Sequence, residues 1–384
     1  MLSQTAPQLA SPSRQTSLGK QYVMQGVSQH SVGTHPLRSS AAAVASAPFL
    51  AADVGGTHAR IGLVQSKHAQ SKAADPSSIN GDDRLQILDY RKYVCANYPN
   101  LSAILREFLR DVGAKPVAAS IACAGYALGD NLINANLPWG VSISSLRRDL
   151  GLEHVALIND FKAIAYATHF HSLADSTPIT GAGPDESGQP QLVVGPGTGL
   201  GAAVLFPGTP RPEILTSEAG HAAIAPRTAL ELQIVRRLGK GVAHVPNEQI
   251  LSGPGLLTLY RVLCEIRAVQ PRFESPIQIT AAALSADDAL AEETVACFCA
   301  WLGSMVGDLA VLFGAYGGVS LAGGFLPQIL PLLQRSDFSA RFRDKGTLRE
   351  VLERVPVRLI EHGQLGVAGA AHWYLDNEYK ADAG

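Results

Sequence analysis

One local pattern occurs twice in this chain and constrains its fold more than any other feature. An apolar run over Phe49–Val54 leads into the turn Gly55-Gly56-Thr57, and residues 59–64 resume the apolar run. The unit recurs over residues 192–206, where a glycine cluster at 195–201 separates two further apolar runs. Apolar runs joined by a short glycine turn are typical of β-hairpins. The repeat predicts two similarly built domains, each presenting a glycine turn to one ligand.

Strands and helices alternate around these hairpins. The patterns predict strands over residues 85–94, 117–123 and 155–158, and helices over residues 101–112 and from Phe161. Beyond a polar stretch rich in glycine and proline, helical patterns predominate over residues 230–238, 255–266, 283–313 (with breaks), 326–333, 347–354 and 366–375. This order predicts a mixed α/β fold, and the polar stretch at 171–190 predicts a domain boundary or a long loop.

Length and composition exclude several classes of protein. The 384 residues suggest two or three domains, and 46% hydrophobic against 17% charged residues excludes global disorder. The formal net charge is −2, so no electrostatic argument favours a nucleic-acid or anionic-membrane partner. The five cysteines lack paired spacing, which favours a reducing compartment over a disulfide scaffold.

Two segments imitate other kinds of structure. Residues 1–48 contain no Asp or Glu and show no apolar periodicity, so we predict a disordered tail, with a transit peptide or a secretory signal as alternatives. Residues 295–325 are apolar enough to resemble a membrane span, but Asp308 lies inside the run, and Gly314, Gly317 and Gly318 break it. We therefore expect a buried helix through Phe313 and a buried strand over residues 319–322, without a membrane partner.

The glycine turns suggest phosphate binding. Backbone N–H groups of a glycine turn can surround an anion because no Cβ blocks the approach, and Thr57 and Thr198 add hydroxyl donors. Two such turns could hold the β- and γ-phosphates of ATP, although either alone could be a plain hairpin turn. The Walker pattern is absent, whereas Gly197-x-Gly199-x-x-Ala202 fits the dinucleotide-binding pattern. That pattern should open a helix, and residues 202–206 resemble a strand, which weakens this alternative.

Asp53, Asn159 and Asp160 stand where strands end. Asp53 precedes the first glycine turn, which suits either a Mg²⁺-associated carboxylate or an Asp that accepts hydrogen bonds from its own turn. Asp160 could accept a proton from a substrate hydroxyl at the carboxyl end of its strand. Asn159 and Asp160 could equally cap the helix that follows.

Three further polar residues lie in predicted loops. Glu218 and His221 have the Glu-x-x-His spacing of some metal sites, but the intervening Gly220 argues for a loop, in which hydrogen bonding is the better use. Glu248, taken alone, would be a solvated surface residue.

Taken together and in order, these motifs resemble bacterial glucokinase over residues 50–375. They are DVGGTHAR at 53–60, INDF at 158–161, GTGLG at 197–201, EAGH at 218–221, LSGPGL at 251–256, and GGV at 317–319 with AGG at 322–324. The resemblance implies the two-domain actin-like ATPase (ribonuclease H-like) α/β fold, with a cleft between a small and a large domain. Residues 49–170 would form the small domain, completed by a C-terminal helix over residues 364–384, and residues 171–363 the large one.

The resemblance also implies a role for each matching residue. Asp160 would be the base that takes the proton from the glucose 6-hydroxyl, and Asn159, Asp160, Glu218, His221 and Glu248 would bind the sugar. The implied ATP-binding residues are Asp53, Val54, Gly55, Gly56, Thr57, His58, Gly197, Thr198, Gly323 and Gly324. Mg²⁺ would arrive with ATP near Asp53, and no structural metal is expected. The stretch Asn136-Leu137-Pro138-Trp139 fits an Asn-x-x-Trp segment of the family near the sugar.

The implied activity is ATP-dependent phosphorylation of D-glucose at the 6-hydroxyl, giving glucose 6-phosphate and ADP for glycolysis in the cytoplasm. A kinase for another hexose, such as fructose or mannose, and a sugar-sensing regulator on the same fold remain alternatives. A homodimer is a family-level expectation. The chain departs from the family at His58, where Asn is usual, and at Ala219, where Gly is usual.

Overall fold

Two mixed β-sheets form the framework of the computed structural model of this chain. The structure describes residues 47–67, 84–133, 137–170, 176–181, 188–208, 211–239, 244–361 and 363–378. The predicted tail over residues 1–48 lies almost wholly outside the described residues. In chain order the strands are β1 (Phe49–Val54), β2 (His58–Ser66), β3 (Leu85–Val94), β4 (Ala118–Cys123), β5 (Tyr126–Leu128), β6 (Asn131–Ile133), β7 (Val141–Ser142), β8 (His154–Asn159), β9 (Thr177–Thr180), β10 (Gln191–Pro196), β11 (Leu200–Phe206), β12 (Glu213–Ser217), β13 (Gly318–Leu321) and β14 (Val357–Leu359).

The first sheet has the order β3-β2-β1-β4-β8. Strands β1 and β2 form the predicted antiparallel hairpin, while β1, β4 and β8 run parallel. Both β1 and β4 are buried along their whole length, as is typical of parallel strands covered on both faces. Val54, Cys123 and Asn159 lie side by side in register, so the three parallel strands end at one edge of the sheet. Ligands of open α/β sheets bind at such an edge.

The second sheet repeats this arrangement in the order β12-β11-β10-β13-β14-β9. Its hairpin, β10 and β11, closes with Gly195 opposite Gly201, and β13 and β14 continue parallel to β10. The internal repeat predicted from the sequence is therefore confirmed as two hairpins, each extended by parallel strands.

The helices surround both sheets. They are α1 (Leu101–Val112), α2 (Ile143–Leu150), α3 (Asp160–Phe170), α4 (Ala229–Leu238), α5 (Gly253–Arg267), α6 (Pro276–Ser285), α7 (Ala289–Phe313), α8 (Leu330–Arg335), α9 (Phe338–Arg343), α10 (Arg349–Leu352) and α11 (Leu365–Asn377).

Helices α3 and α11 link the two sheets. Val367 of α11 belongs to the apolar cluster on the first sheet, whereas Ile164 of α3 packs with Val193 of the second sheet. The helices cross so closely that a Cβ on Gly369 would lie 1.8 Å from the carbonyl oxygen of Ala163. Only glycine at position 369 permits this contact without displacement of the backbone.

Helix α7 is long and apolar enough to cross a membrane by composition, but 72% of its most apolar stretch is buried in the protein. Phe298 and Trp301 lie at the centre of the largest apolar cluster. The interpretation of this run as a core helix followed by a buried strand, β13, agrees with the structure.

The predicted helical stretch over residues 283–313 contains one break. It divides because Ala286, in the left-handed conformation with φ 58°, ends α6. Asp288 then starts α7 by accepting the N–H of Ala291 at 2.9 Å. Such local caps set where helices end and begin. The stretch at 171–190 contains the edge strand β9, and the division into domains there stays a prediction.

Candidate active site

The two glycine turns meet. The hydroxyl oxygens of Thr57 and Thr198 lie 3.4 Å apart. Within the first turn, the N–H of Gly55 donates to the carbonyl of His58 at 3.0 Å. Cys95, which directly follows β3, also holds the first turn. Its N–H donates to the carbonyl of Thr57 at 3.0 Å, and its thiol donates to the carbonyl of Gly55 at 3.4 Å. No local pattern in the sequence predicts these two hydrogen bonds.

The second turn is fixed by its own backbone and by the start of α5. The N–H of Gly197 donates to the carbonyl of Gly199 at 2.7 Å, and the carbonyl of Gly197 accepts the N–H of Gly253 at 2.8 Å. A strand, β11, follows from Leu200, rather than the helix that a dinucleotide-binding pattern requires. The dinucleotide alternative for this motif is therefore wrong.

Asp53, the last polar residue before the first turn, is only 3% exposed. Its Oδ2 pairs with Nη1 of Arg60, its cross-strand neighbour, at 3.2 Å. The first turn of α11 approaches it from the other side, since a Cβ on Gly366 would lie 2.6 Å from the Asp53 Cγ. Asp53 is thus held between the guanidinium of Arg60 and the first turn of α11.

Asn159 and Asp160 lie at the junction of β8 and α3. Asn159 Oδ1 accepts the N–H of Lys162 at 3.0 Å, so Asn159 caps the helix. Asp160 Oδ1 accepts the N–H of Phe161 at 2.9 Å. Burial, together with the negative charge of Asp53, raises the pKa of Asp160 to about 7, and the hydrogen bond from Phe161 opposes this rise. A carboxyl group with this pKa can take up or release a proton near neutral pH.

Phe161 ties this junction to the second turn. A Cβ on Gly201 would lie 2.0 Å from the Phe161 ring, so the ring occupies the space above that glycine. Because Phe161 is the neighbour of Asp160, the contact places the candidate base next to the hairpin that bears Gly197 and Thr198.

Glu218 and His221 lie on an exposed turn after β12. Their side chains are 73% and 68% exposed, and Glu218 Oε2 lies 4.0 Å from His221 Nε2. In the part of the chain that the structure describes, no cluster of three or more His, Cys, Asp or Glu side chains could hold a metal ion. Both side chains are therefore accessible to a ligand's hydroxyl groups.

The two central residues of the EAGH motif are both buried. Ala219 is buried, and its carbonyl accepts a hydrogen bond from Asn247 Nδ2 at 3.1 Å. At Gly220, by contrast, a Cβ would lie 2.5 Å from the carbonyl oxygen of Leu200. The second glycine of the motif is thus the one that packing requires.

Glu248 is less solvated than its sequence context suggests. It is half-buried, and its Oε2 accepts the N–H of Leu200, at the start of β11, at 2.9 Å. The sequence predicted Glu248 as a sugar ligand from the resemblance alone, and its contact with the second hairpin was missed.

The remaining predicted residues lie around the two turns. Gly323 has φ 146° and packs against the carbonyl of Pro196, so this predicted ATP-binding residue adjoins the second turn. Burial, with the charges of Lys92 and Arg60, lowers the pKa of His58. Asn136 lies outside the described residues.

A largely apolar cavity of about 550 Å³ borders Glu218 on the side of α7. Its walls include Trp301, Met305 and Leu309 but neither Asp160 nor a residue of the glycine turns. The cavity therefore adjoins the polar site at Glu218 and extends away from Asp160 and the two turns.

Comparison with known proteins identifies relatives over most of the chain. A family model described as Glucokinase matches residues 50–377. A glucokinase-like protein of Xylella fastidiosa (strain 9a5c) is 48% identical over 331 residues, 86% of this chain and 95% of the relative. A glucokinase of Saccharophagus degradans is 36% identical over 327 residues, 85% of this chain and 98% of the relative.

Solved structures agree with these matches. The crystal structure of a glucokinase from an Antarctic psychrotroph is 32% identical, with a TM-score of 0.71 over 86% of this chain and 99% of that one. A ROK family glucokinase from Streptomyces griseus, solved with glucose and AMPPNP, is 19% identical, with a TM-score of 0.54 over 84% of this chain and 98% of that one. This second likeness concerns the fold alone.

Proposed function

The chain belongs to the glucokinase family, and on that premise we propose that it transfers the terminal phosphoryl group of ATP to the 6-hydroxyl of D-glucose. The products would be glucose 6-phosphate, which enters glycolysis, and ADP. The observation that carries the proposal is the meeting of the two glycine turns beside Asp160, a carboxyl group with a pKa of about 7. A homodimer, a cytoplasmic location and the division into two domains around a cleft stay predictions.

In this proposal Asp160 is the general base. Its carboxylate accepts the proton of the attacking hydroxyl and orients that hydroxyl toward the phosphorus. A correctly placed base contributes ~10²–10⁴-fold to the rate. The pKa of about 7 makes the carboxylate basic enough to accept the proton while much of it is still ionised at neutral pH.

The sugar ligands in the proposal are Asn159, Glu218, His221 and Glu248. Carboxylates accept hydrogen bonds from sugar hydroxyls, and the imidazole can donate or accept. Since Oδ1 of Asn159 caps α3, the sugar contact proposed for this residue is through Nδ2. Binding of sugar would cover the exposed Glu218 and His221, and closure around it would exclude water, the competing acceptor.

The phosphates of ATP would bind to the N–H groups of the two glycine turns and to the hydroxyls of Thr57 and Thr198. Asp53 fits an ATP-bound Mg²⁺ because its carboxyl oxygens lie where the first hairpin turns, and hard oxygen ligands are those that Mg²⁺ prefers. The cation would neutralise charge on the transferred group. Gly323 and Gly324, beside the second turn, are the proposed adenosine contacts.

A kinase for another hexose is the second candidate. It is favoured by the name of the Xylella fastidiosa relative, glucokinase-like protein, which does not commit that relative to glucose. Fructose and mannose differ from glucose in the arrangement of hydroxyls that Glu218, His221 and Glu248 would contact.

A coupled assay of ADP formation tests both candidates. We expect the highest kcat/KM with glucose, lower values with mannose and fructose, and negligible turnover without sugar. The matched control is 6-deoxyglucose, which keeps the other hydroxyls but lacks the acceptor and should inhibit without being phosphorylated. A higher kcat/KM for another hexose would show that this hexose, and not glucose, is the preferred substrate. Turnover without any sugar would overturn the proposal.

A further inference from the structure

A short segment, residues 248–253, contacts the second glycine turn at two points. Oε2 of Glu248 accepts the N–H of Leu200 at 2.9 Å. The N–H of Gly253 donates to the carbonyl of Gly197 at 2.8 Å. These contacts bracket the phosphate-binding part of the turn, since Thr198 lies between Gly197 and Leu200.

The segment holds its own shape through Ser252. This side chain is 2% exposed, and its Oγ donates to the carbonyl of Glu248 at 2.8 Å. The same Oγ accepts the N–H of Gly255 at 3.0 Å, which makes Ser252 the N-cap of α5. The two ends of the segment are therefore fixed relative to each other and to a 15-residue helix.

The turn that bears Glu218 and His221 packs on the same point. A Cβ on Gly220 would lie 2.5 Å from the carbonyl oxygen of Leu200 and 3.5 Å from the Cβ of Glu248. The Cβ of Glu248 thus lies against the turn that bears Glu218 and His221, while its carboxylate holds the N–H of Leu200 beside the second glycine turn.

From this arrangement we propose that Glu248 is a positioning residue for the second phosphate turn, and that the sugar and nucleotide sites are coupled through it. The proposal rests on the function proposed above. A hydroxyl bound to Oε1 would orient the carboxylate whose Oε2 holds the N–H of Leu200. By linkage, sugar must then change nucleotide affinity by the same factor by which nucleotide changes sugar affinity.

The test measures binding of AMPPNP with Mg²⁺ to the full chain by calorimetry, first without sugar. Glu248→Ala removes the acceptor, and hydrogen bonds to charged groups are typically worth ~10- to 100-fold in affinity. We expect weakening in this range. Glu248→Gln keeps an acceptor oxygen and should restore most of the affinity. Glu350→Ala is the control, because Glu350 is an exposed glutamate on α10, outside the proposed site; its nucleotide affinity should equal that of the wild type.

A second measurement repeats the titration at saturating glucose. The factor by which glucose changes nucleotide affinity should persist in Glu350→Ala and approach one in Glu248→Ala. Wild-type nucleotide affinity in Glu248→Ala would overturn the proposal, even if its melting temperature fell, since that result indicates a structural role only. Failure of the glucokinase assignment would appear separately. The enzyme would then phosphorylate another hexose, while the difference in AMPPNP affinity between the wild type and Glu248→Ala without sugar would be unchanged. Absence of nucleotide binding by the wild type would overturn both proposals.

Discussion

The hydroxyl groups of Thr57 and Thr198 lie 3.4 Å apart although 141 residues separate them in the chain. Each threonine stands in the turn of a hairpin, one in each sheet. The internal repeat of the sequence thus corresponds to two turns that face one another. A triphosphate between them would contact N–H groups from both sheets, so its binding would hold the two turns together.

Replacement of Asp160 by Asn should abolish phosphorylation and leave the fold intact. The amide preserves the shape of the side chain and can still accept the N–H of Phe161, but it cannot take up the proton. We expect kcat to fall by ~10²–10⁴-fold, measured with saturating glucose and ATP. Residual turnover above roughly a tenth of the wild-type value would exclude a general base of ordinary strength at this position.

The pH dependence of wild-type activity should follow the ionisation of Asp160. The active form is the carboxylate, and its pKa is raised to about 7, so protonation inactivates the enzyme as the pH falls. We expect kcat/KM for the sugar to decline about tenfold per pH unit below 7 and to level off above it. A profile that stays flat down to pH 5 would show that Asp160 titrates near the ordinary value of an aspartate.

The stability of the protein should also depend on the ionisation of Asp160. It should fall as the pH rises, whereas the activity should rise. Because the folded-state pKa of Asp160 lies above the ordinary aspartate value of 3.8, its contribution to the free energy of unfolding is fully present below pH 3.8 and is lost as the pH rises through about 7. Asn is neutral throughout, so the melting temperature of Asp160→Asn relative to wild type should rise by a few degrees between pH 5 and pH 8. Glu350→Gln, which alters an exposed carboxylate, is the control and should show no such trend. A constant difference between Asp160→Asn and wild type would contradict the raised pKa.

Local patterns were sufficient to predict the elements that carry the site. The bounds of β3 and α1 agree with the sequence prediction, and β8 and α3 meet at Asn159 and Asp160 as expected. Each of these elements is long enough to show the spacing of apolar residues that identifies a helix or a strand, or it ends at residues with strong turn or cap preferences. Strand β14, with three residues, is too short to show a period and was missed.

Contacts between distant residues could not be predicted in the same way. Nothing near Gly201 in the sequence indicates that the ring of Phe161 fills the space above it. Nor does a glycine cluster indicate that Glu248 holds the N–H of Leu200. These relationships depend on how α3 and α5 pack against the second sheet, and packing at this distance leaves no local pattern.

Glu218→Ala and His221→Ala should separate sugar binding from nucleotide binding. Both side chains are exposed, so their loss should leave the melting temperature unchanged. The glucose KM should rise by about 10- to 100-fold, more for Glu218 because a carboxylate can accept from two hydroxyls. The ATP KM should change little. Equal changes in the two KM values would contradict the sugar assignment, and metal lost from either variant would point to a metal site instead.

Gly366→Ala should impair catalysis from outside the site. In an exposed helix this change ordinarily stabilises by ~0.5–1 kcal/mol, but here the new Cβ would lie 2.6 Å from the Asp53 Cγ and 2.8 Å from its Oδ2. Either α11 or the Asp53 carboxylate must shift, and a misplacement of about 1 Å in an active site can lower the rate roughly 100-fold. We therefore expect kcat/KM for ATP to fall by about 10- to 100-fold in the folded variant. The matched control is Gly363→Ala, three residues earlier, where no atom lies within 4 Å of the added Cβ. Wild-type kinetics in both variants would show that the position of Asp53 does not depend on α11, whereas a loss confined to Gly366→Ala would establish that the C-terminal helix positions the carboxylate of the first phosphate turn.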